Sequence, residues 1–164
     1  MNPLWTYLWP TLCTGLLAGG LGGLFGFRLK RRLPVIAGIL LAIAAAAIWH
    51  GPLGAAGRFA TTIERQSRQA LDYYEMTKVT AHLHHGPLTR ELVLSGPADD
   101  FQRSELVRLF SQLPGVHSVR WSESGRWPPL IAEGILAAIA GFLAGLLLAY
   151  LVELRRRYNA QWSW

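Results

Sequence analysis

The sequence predicts a membrane α-helical protein: three transmembrane helices with a small α+β domain, of order α-β-β-α-β, inserted between the second and third. Three observations predict it. The 164 residues are 51% hydrophobic with a mean hydropathy of +0.24 and only 16% charged, where a soluble domain carries about a quarter. The missing charge is concentrated: residues 1–27 and 33–57 hold no Asp, Glu, Lys or Arg, and Glu133 is the only one from Trp127 to Val152. The stretch between the second and third apolar runs instead changes its period from helical to alternating and back.

The first span is expected at about residues 4–27. Crossing a hydrocarbon core of about 30 Å takes roughly 20 apolar residues, and each apolar run is long enough. MNPLWTYLWP carries no basic side chain, and the apolar run continues to Phe27. A retained span is therefore expected, not a cleaved leader, whose basic residues precede its apolar stretch. Pro10 is expected to start or kink this helix near one membrane surface. Cys13 reads as a small apolar side chain within it.

The second span is expected at about 33–50, so residues 1–57 form two helices joined by a basic link of Arg28, Lys30, Arg31 and Arg32. The third is expected at about 129–152 within residues 127–164, followed by Arg155, Arg156 and Arg157. With three spans both basic clusters fall on one side, which the positive-inside rule assigns to the cytoplasm. The N-terminus and residues 51–127 then face outward. Trp5, Trp9, Trp49 and Trp127 fall at the outer interface, and Trp162 and Trp164 at the inner one, where an apolar ring with a polar N–H is favoured. Glu133 reads as a first-turn acid at headgroup level, favoured by the helix dipole.

Gly15, Gly19 and Gly23 repeat every four residues, as do Gly22 and Gly26. Ala137, Gly141, Gly145 and Ala149 do the same in the third span. Positions four apart share a helix face, and the missing side chains let backbones approach closely. These are helix-packing faces, either inside the three-helix bundle or against another subunit.

The inserted domain is expected over residues 58–126. A first helix from Arg58 to Met76 has Phe59, Ile63, Ala70 and Tyr74 at helical spacing, with Leu71 beside them, and Glu64–Arg68 and Arg68–Asp72 as i,i+4 pairs. Val79, Ala81 and Leu83 then alternate with Thr80, His82 and His84, the period of a half-buried strand. His85-Gly86-Pro87 is a turn, and Leu92 and Leu94 alternate in a second strand ending at Gly96. Asp99, with Gln102 at the capping-box position, opens a helix through Phe101, Leu106, Phe110 and Leu113. Pro114-Gly115 stops it, and Val116 to Trp121 form a third strand. Three strands and two helices make a small layered unit with the helices on one face.

From Val79 to Trp121 the chain resembles the BON domain, a small extracytoplasmic module of bacterial envelope proteins. The likeness rests on the alternating VTAHLHHG strand, the LVLSG segment ending in Gly96, the capped helix, and PGVHSV. Gly115, Val116 and Val119 match the family's Gly-Val-x-x-Val ending, while the Gly86-Pro87 turn departs from its plainer hairpin. The resemblance, taken over residues 58–122, implies a non-enzymatic binding module linked to phospholipid surfaces or envelope integrity.

Charge placement bears on partners. Of 16 Lys and Arg, seven lie in the two clusters, and residues 58–126 hold nine against eight acids. A nucleic-acid binder concentrates positive charge on its folded domain, so no nucleic-acid partner is expected. The clusters set topology and touch anionic lipid headgroups. No phosphate-binding glycine loop or nucleophile elbow is present, and neither an enzyme nor a cofactor is expected. His82 and His84 share one sheet face as metal candidates, but a site needs three or more converging ligands. The leading expectation is an accessory or structural subunit of a bacterial inner-membrane assembly, with lipids and other membrane subunits as partners. A lipid-binding or envelope-integrity sensor and a small transporter or channel component are the alternatives.

Overall fold

The computed structural model describes residues 2–121 and 128–161. Eight elements follow in order: α1 (Pro3–Leu29), α2 (Leu33–His50), α3 (Ala55–Tyr73), β1 (Thr80–His85), β2 (Leu88–Ser95), α4 (Asp100–Phe110), β3 (Ser118–Trp121) and α5 (Leu130–Gln161). Of these, α1, α2 and α5 are long and apolar enough to cross a membrane. The chain divides into two units, one of Met1–Tyr7 with Gly54–Ala132 and one of Leu8–Leu53 with Glu133–Trp164.

The helical unit is built from most of α1, all of α2 and most of α5. Pro10 neither starts nor ends α1, which begins at Pro3 and runs on through it. A proline in the first turn forgoes only an orphan N–H, whereas Pro10 forgoes one internal hydrogen bond. Arg28 closes the last turn of α1 and Lys30 follows in the left-handed region at φ 52°. The Arg31 N–H donates back to the Gly26 carbonyl at 3.1 Å, the long bond of a Schellman cap. Glycine is the usual residue at that left-handed position, and a side chain there costs about 1–2 kcal/mol. At the other end of the unit, α5 does not stop near residue 152. It continues through Arg155–Arg157, because Glu153 sits one turn back and lies 3.7 Å from Arg156 Nη1 and 3.1 Å from Arg157 Nε, spacings that support a solvated helix.

The other unit holds a three-stranded sheet of order β1-β2-β3. β1 and β2 are antiparallel, with Leu83 opposite Leu92 and Ala81 opposite Leu94. β2 and β3 are parallel, with Leu92 beside Val119 and Leu94 beside Trp121. A parallel pair needs a crossover, and α4 supplies it. Phe59, Ile63 and Leu71 of α3, Leu83, Leu92 and Leu94 of the sheet, and Leu106 and Phe110 of α4 form the buried core. Tyr7 belongs to this unit as well: its ring lies 6.2 Å from that of Phe59 and its hydroxyl donates to the Leu130 carbonyl at 3.4 Å.

Three expectations for this unit are corrected. The buried stripe of α3 keeps Phe59, Ile63 and Leu71 as expected, but Ser67 lies on it and Ala70 and Tyr74 do not. A fully buried serine whose Oγ has no partner interrupts the apolar pattern and hides its true line. Phe101 is likewise 74% exposed, since the core-facing positions of α4 are Leu106 and Phe110. Glu64 does not pair with Arg68. Its carboxylate accepts the Leu83 N–H at 3.1 Å and lies 3.0 Å from His85 Nε2, while Arg68 pairs with Asp72 at 3.1 Å and donates to the Val79 carbonyl at 3.4 Å. α3 thereby occupies backbone groups along the outer edge of β1, an edge that would otherwise be open to strand pairing.

Local rules at α4 hold as read. Asp99 accepts the Gln102 N–H at 2.7 Å and Gln102 Oε1 accepts the Asp99 N–H at 3.1 Å, a reciprocal capping box. Asp99→Ala is expected to cost about 1 kcal/mol, seen as faster amide exchange at the first turn of α4.

Candidate functional site

Four features bear on function: the glycine seams of the helical unit, its basic end, the sheet face carrying the histidines, and an exposed aromatic cluster on the α+β unit.

Gly15 and Gly19 of α1 lie against the backbone of Ala138 and Phe142 in α5, so close that a Cβ at either would overlap a carbonyl oxygen. Gly141 and Gly145 of α5 reciprocate against the carbonyls of Leu12 and Leu16. Gly23 continues the seam, with Ala149 Cβ 2.7 Å from the position its own Cβ would take. A second seam joins α1 to α2: Gly22 meets the Pro34 carbonyl and Gly26 meets Val35 Cγ2, at 2.9 and 2.7 Å on the same measure. Gly38 answers against the Ala18 carbonyl at 2.9 Å. These faces therefore pack within the chain. The buried line of α5 runs through Ala138, Phe142 and Ala149, with Ala138 in the place expected for Ala137, because 3.6 residues per turn drifts off a strict spacing of four. Ala18, Ala42 and Phe142 form the centre, with Val35, Ile39 and Leu146 around it.

The outer surface of the unit is apolar. Leu17, Leu21, Phe25 and Leu29 of α1, and Leu143, Leu147, Leu151 and Leu154 of α5, are about half exposed or more. Thr11, the one fully buried polar side chain in the bundle among the described residues, donates to the Leu8 carbonyl at 2.7 Å. Glu133 is half-buried in the first turn of α5. Trp5 and Trp9 are exposed and Trp49 half-buried; Trp127, Trp162 and Trp164 lie outside the described residues.

Both basic clusters reach one end of the unit. Arg28 and Lys30 share an open cleft of about 640 Å³ with Arg156 and Arg157, together with Phe27, Glu153 and Ala160. Arg155 lies with Arg157 and Tyr158 in a neighbouring cleft lined by Leu151 and Leu154. Arg31 and Arg32 are exposed in the link between α1 and α2.

On the sheet, His82 and His84 are half-buried. The Glu91 carboxylate turns to Arg120, whose Nε lies 2.7 Å from Oε1, an ion pair with the N–H aimed off the oxygen. His84 Nδ1 sits 3.3 Å from the Pro87 carbonyl, and His85 is held by Glu64. Among the described residues no three His, Cys, Asp or Glu side chains converge for a metal. Glu91 and Val93, which alternate with Leu92 and Leu94 along β2, are both 3% exposed. β2 is the central strand, so His82 and Arg120 flank Val93 from either side.

Gly96 and Gly115 have definite backbone roles. Gly96 has φ 132°, and a Cβ there would lie 2.5 Å from the Lys78 carbonyl oxygen. Gly115 has φ 100° and sits against Ile63 and Pro3, with its carbonyl accepting from Arg90 Nε at 3.0 Å. Val116 is buried and Val119 pairs with Leu92. Sequence reasoning missed the surface cluster of Tyr73, Tyr74 and Phe101, exposed by 80%, 50% and 74%. Tyr74 and Phe101 flank a shallow cleft of about 300 Å³ with Met76, Leu106 and Leu109. A Tyr-Tyr pair at a helix end was the available signal. No protein-family model, no curated protein and no solved structure matches the chain.

Proposed function

We propose that the chain is a multi-pass protein of a bacterial inner membrane. In this reading it is a non-enzymatic anchor whose BON-like domain makes contacts on the periplasmic side, as an accessory subunit of a larger assembly. One observation carries the reading. The glycine faces are consumed inside the chain, which leaves a closed bundle with an apolar outside and charged side chains only toward its helix ends. Such a bundle suits an anchor, because a pathway needs polar groups along its interior. Contact with a partner then falls to the α+β unit, where Tyr73, Tyr74 and Phe101 offer the exposed aromatic area that interfaces favour.

In this topology residues 28–32 and the C-terminus are cytoplasmic, and the N-terminus and residues 51–127 periplasmic. In a Cys13→Ser background, an impermeant maleimide is expected to label Thr77→Cys on intact spheroplasts, and Asn159→Cys only after permeabilisation. The reverse pattern inverts the topology. The partner is tested by purification in mild detergent: a second membrane protein is expected to co-purify stoichiometrically and to be lost when Tyr73, Tyr74 and Phe101 are changed together to serine. A strictly monomeric chain, alone and unaffected by those changes, would overturn the accessory role.

The same aromatic cluster favours a second reading, contact between the domain and the outer leaflet. Protection of amides 73–76 and 101–109 from exchange in nanodiscs holding the chain alone would support lipid contact over a protein partner.

A further inference from the structure

We propose that the cleft at the basic end is a binding site for a phosphate group, presented by the headgroup of an anionic phospholipid. The inference rests on the membrane reading above and adds to it a defined site.

The charge in the cleft is unbalanced. Arg28, Lys30, Arg156 and Arg157 line it against a single carboxylate, Glu153. Glu153 is engaged by Arg157 Nε at 3.1 Å on one oxygen and by Arg156 Nη1 at 3.7 Å on the other, and both arginine side chains remain more than 60% exposed. A guanidinium carries five N–H donors in a fork that matches phosphate oxygens, so most donors of this pair are unspent. Arg28 and Lys30 have no carboxylate partner among the described residues. The carbonyl end of α1 opposes an anion with roughly half a negative charge, which the excess of cations outweighs.

Lys30 adds a second, independent observation. It occupies the left-handed cap position at φ 52°, where glycine meets no steric cost. A cation is held there against backbone preference, and strain kept in a structure marks a functional hypothesis. Here Lys30 lines the cleft together with Arg28.

The apolar surroundings favour a lipid over free phosphate. Phe27 lines the cleft and its ring lies 5.9 Å from that of Tyr150, edge to face. Phe25 and Leu29 of α1 and Leu147, Leu151 and Leu154 of α5, on the same two helices, are exposed apolar side chains, and Leu151 and Leu154 line the neighbouring cleft with Arg155 and Arg157. A headgroup phosphate held by the arginines leaves its acyl chains on that surface. Glu153 is a positioning residue, orienting the two guanidiniums.

The test uses the full chain purified in mild detergent. Native mass spectrometry and thermal unfolding are followed with added phosphatidylglycerol, phosphatidylcholine or inorganic phosphate. The wild type is expected to prefer phosphatidylglycerol by about tenfold, since each cation near an anionic surface contributes a few-fold, and to gain several degrees in unfolding midpoint from it alone. Lys30→Gly removes a charge while improving the cap, so its midpoint in phosphatidylcholine is expected not to fall, yet the gain from phosphatidylglycerol shrinks. Adding Arg28→Gln is expected to abolish the preference, and Lys78→Gln, a cation of the α+β unit, to leave it intact. Equal binding of both lipids by the wild type, or an unchanged preference in the double variant, overturns the proposal. Full stabilisation by inorganic phosphate, with loss of lipid discrimination, overturns the lipid source and assigns free phosphate. Failure of the membrane reading looks different: the chain would stay in the aqueous phase on detergent phase separation, whatever its lipid preference.

Discussion

Gly19→Leu is expected to force α1 and α5 apart and to lower the unfolding free energy of the bundle by about 3 kcal/mol, the upper part of the range for overpacking. The reason is geometric. Even the first carbon of a side chain at Gly19 overlaps the Phe142 carbonyl, and Gly145 and Gly141 press equally on the Leu16 and Leu12 carbonyls from the other helix. No rotamer change relieves a clash with backbone, so the helices themselves must separate. Separation also forfeits dispersion contacts along the seam, which drive association where lipid tails are as apolar as the side chains. The measurement is a denaturant titration of the purified chain in detergent, followed by helical signal. Gly57→Ala is the control. Gly57 lies in α3 with nothing within 4 Å of an added Cβ, so alanine there is expected to stabilise by about 0.5–1 kcal/mol. An unchanged midpoint for Gly19→Leu would show that the two helices do not meet along these faces.

Phe110→Ala is expected to cost about 3–5 kcal/mol and to unfold the α+β unit while leaving the helical bundle intact. Phe110 is 0% exposed and shares the core with Ile63, Leu71, Leu83, Leu92 and Leu94. Small domains bury a smaller fraction of their surface and hold little reserve, so one lost ring is a large share of the total. Hydrogen exchange on the full chain reads the two units separately: amides of β2 are expected to lose protection while those of α1, α2 and α5 keep theirs. Phe101→Ala, the same chemical change nine residues earlier in α4, is expected to move stability by no more than about 0.5 kcal/mol, because Phe101 is 74% exposed. If both variants behave alike, the assignment of inward and outward faces on α4 is wrong.

Those two phenylalanines show where local reading runs out. Both sit in one capped helix, and both fit an apolar pattern loosely. Period alone does not say which of two apolar positions faces the sheet. That depends on how α4 crosses from β2 to β3. Ser67 makes the same point from the polar side: a serine counts as a break in an apolar stripe, yet it is buried on the line joining Ile63 and Leu71. Glu64 offered a plausible i,i+4 partner in Arg68, but a strand edge distant in sequence presents the Leu83 N–H and His85 instead. Long-range partners of this kind leave no spacing signal.

The sequence by itself determined the number of the long apolar helices, the order of the inserted elements, the Asp99 capping box and the segregation of basic residues. Each depends on the chemistry of a contiguous stretch, such as length without charge, period, or a cap three residues from its partner. Only the tertiary structure decided that the glycine faces close on each other within one chain, since equal spacing serves an internal or an external helix equally well. It alone brought Arg28 and Lys30 beside Arg156 and Arg157. Clusters more than a hundred residues apart meet only because α1 and α5 pack closely enough to align their ends.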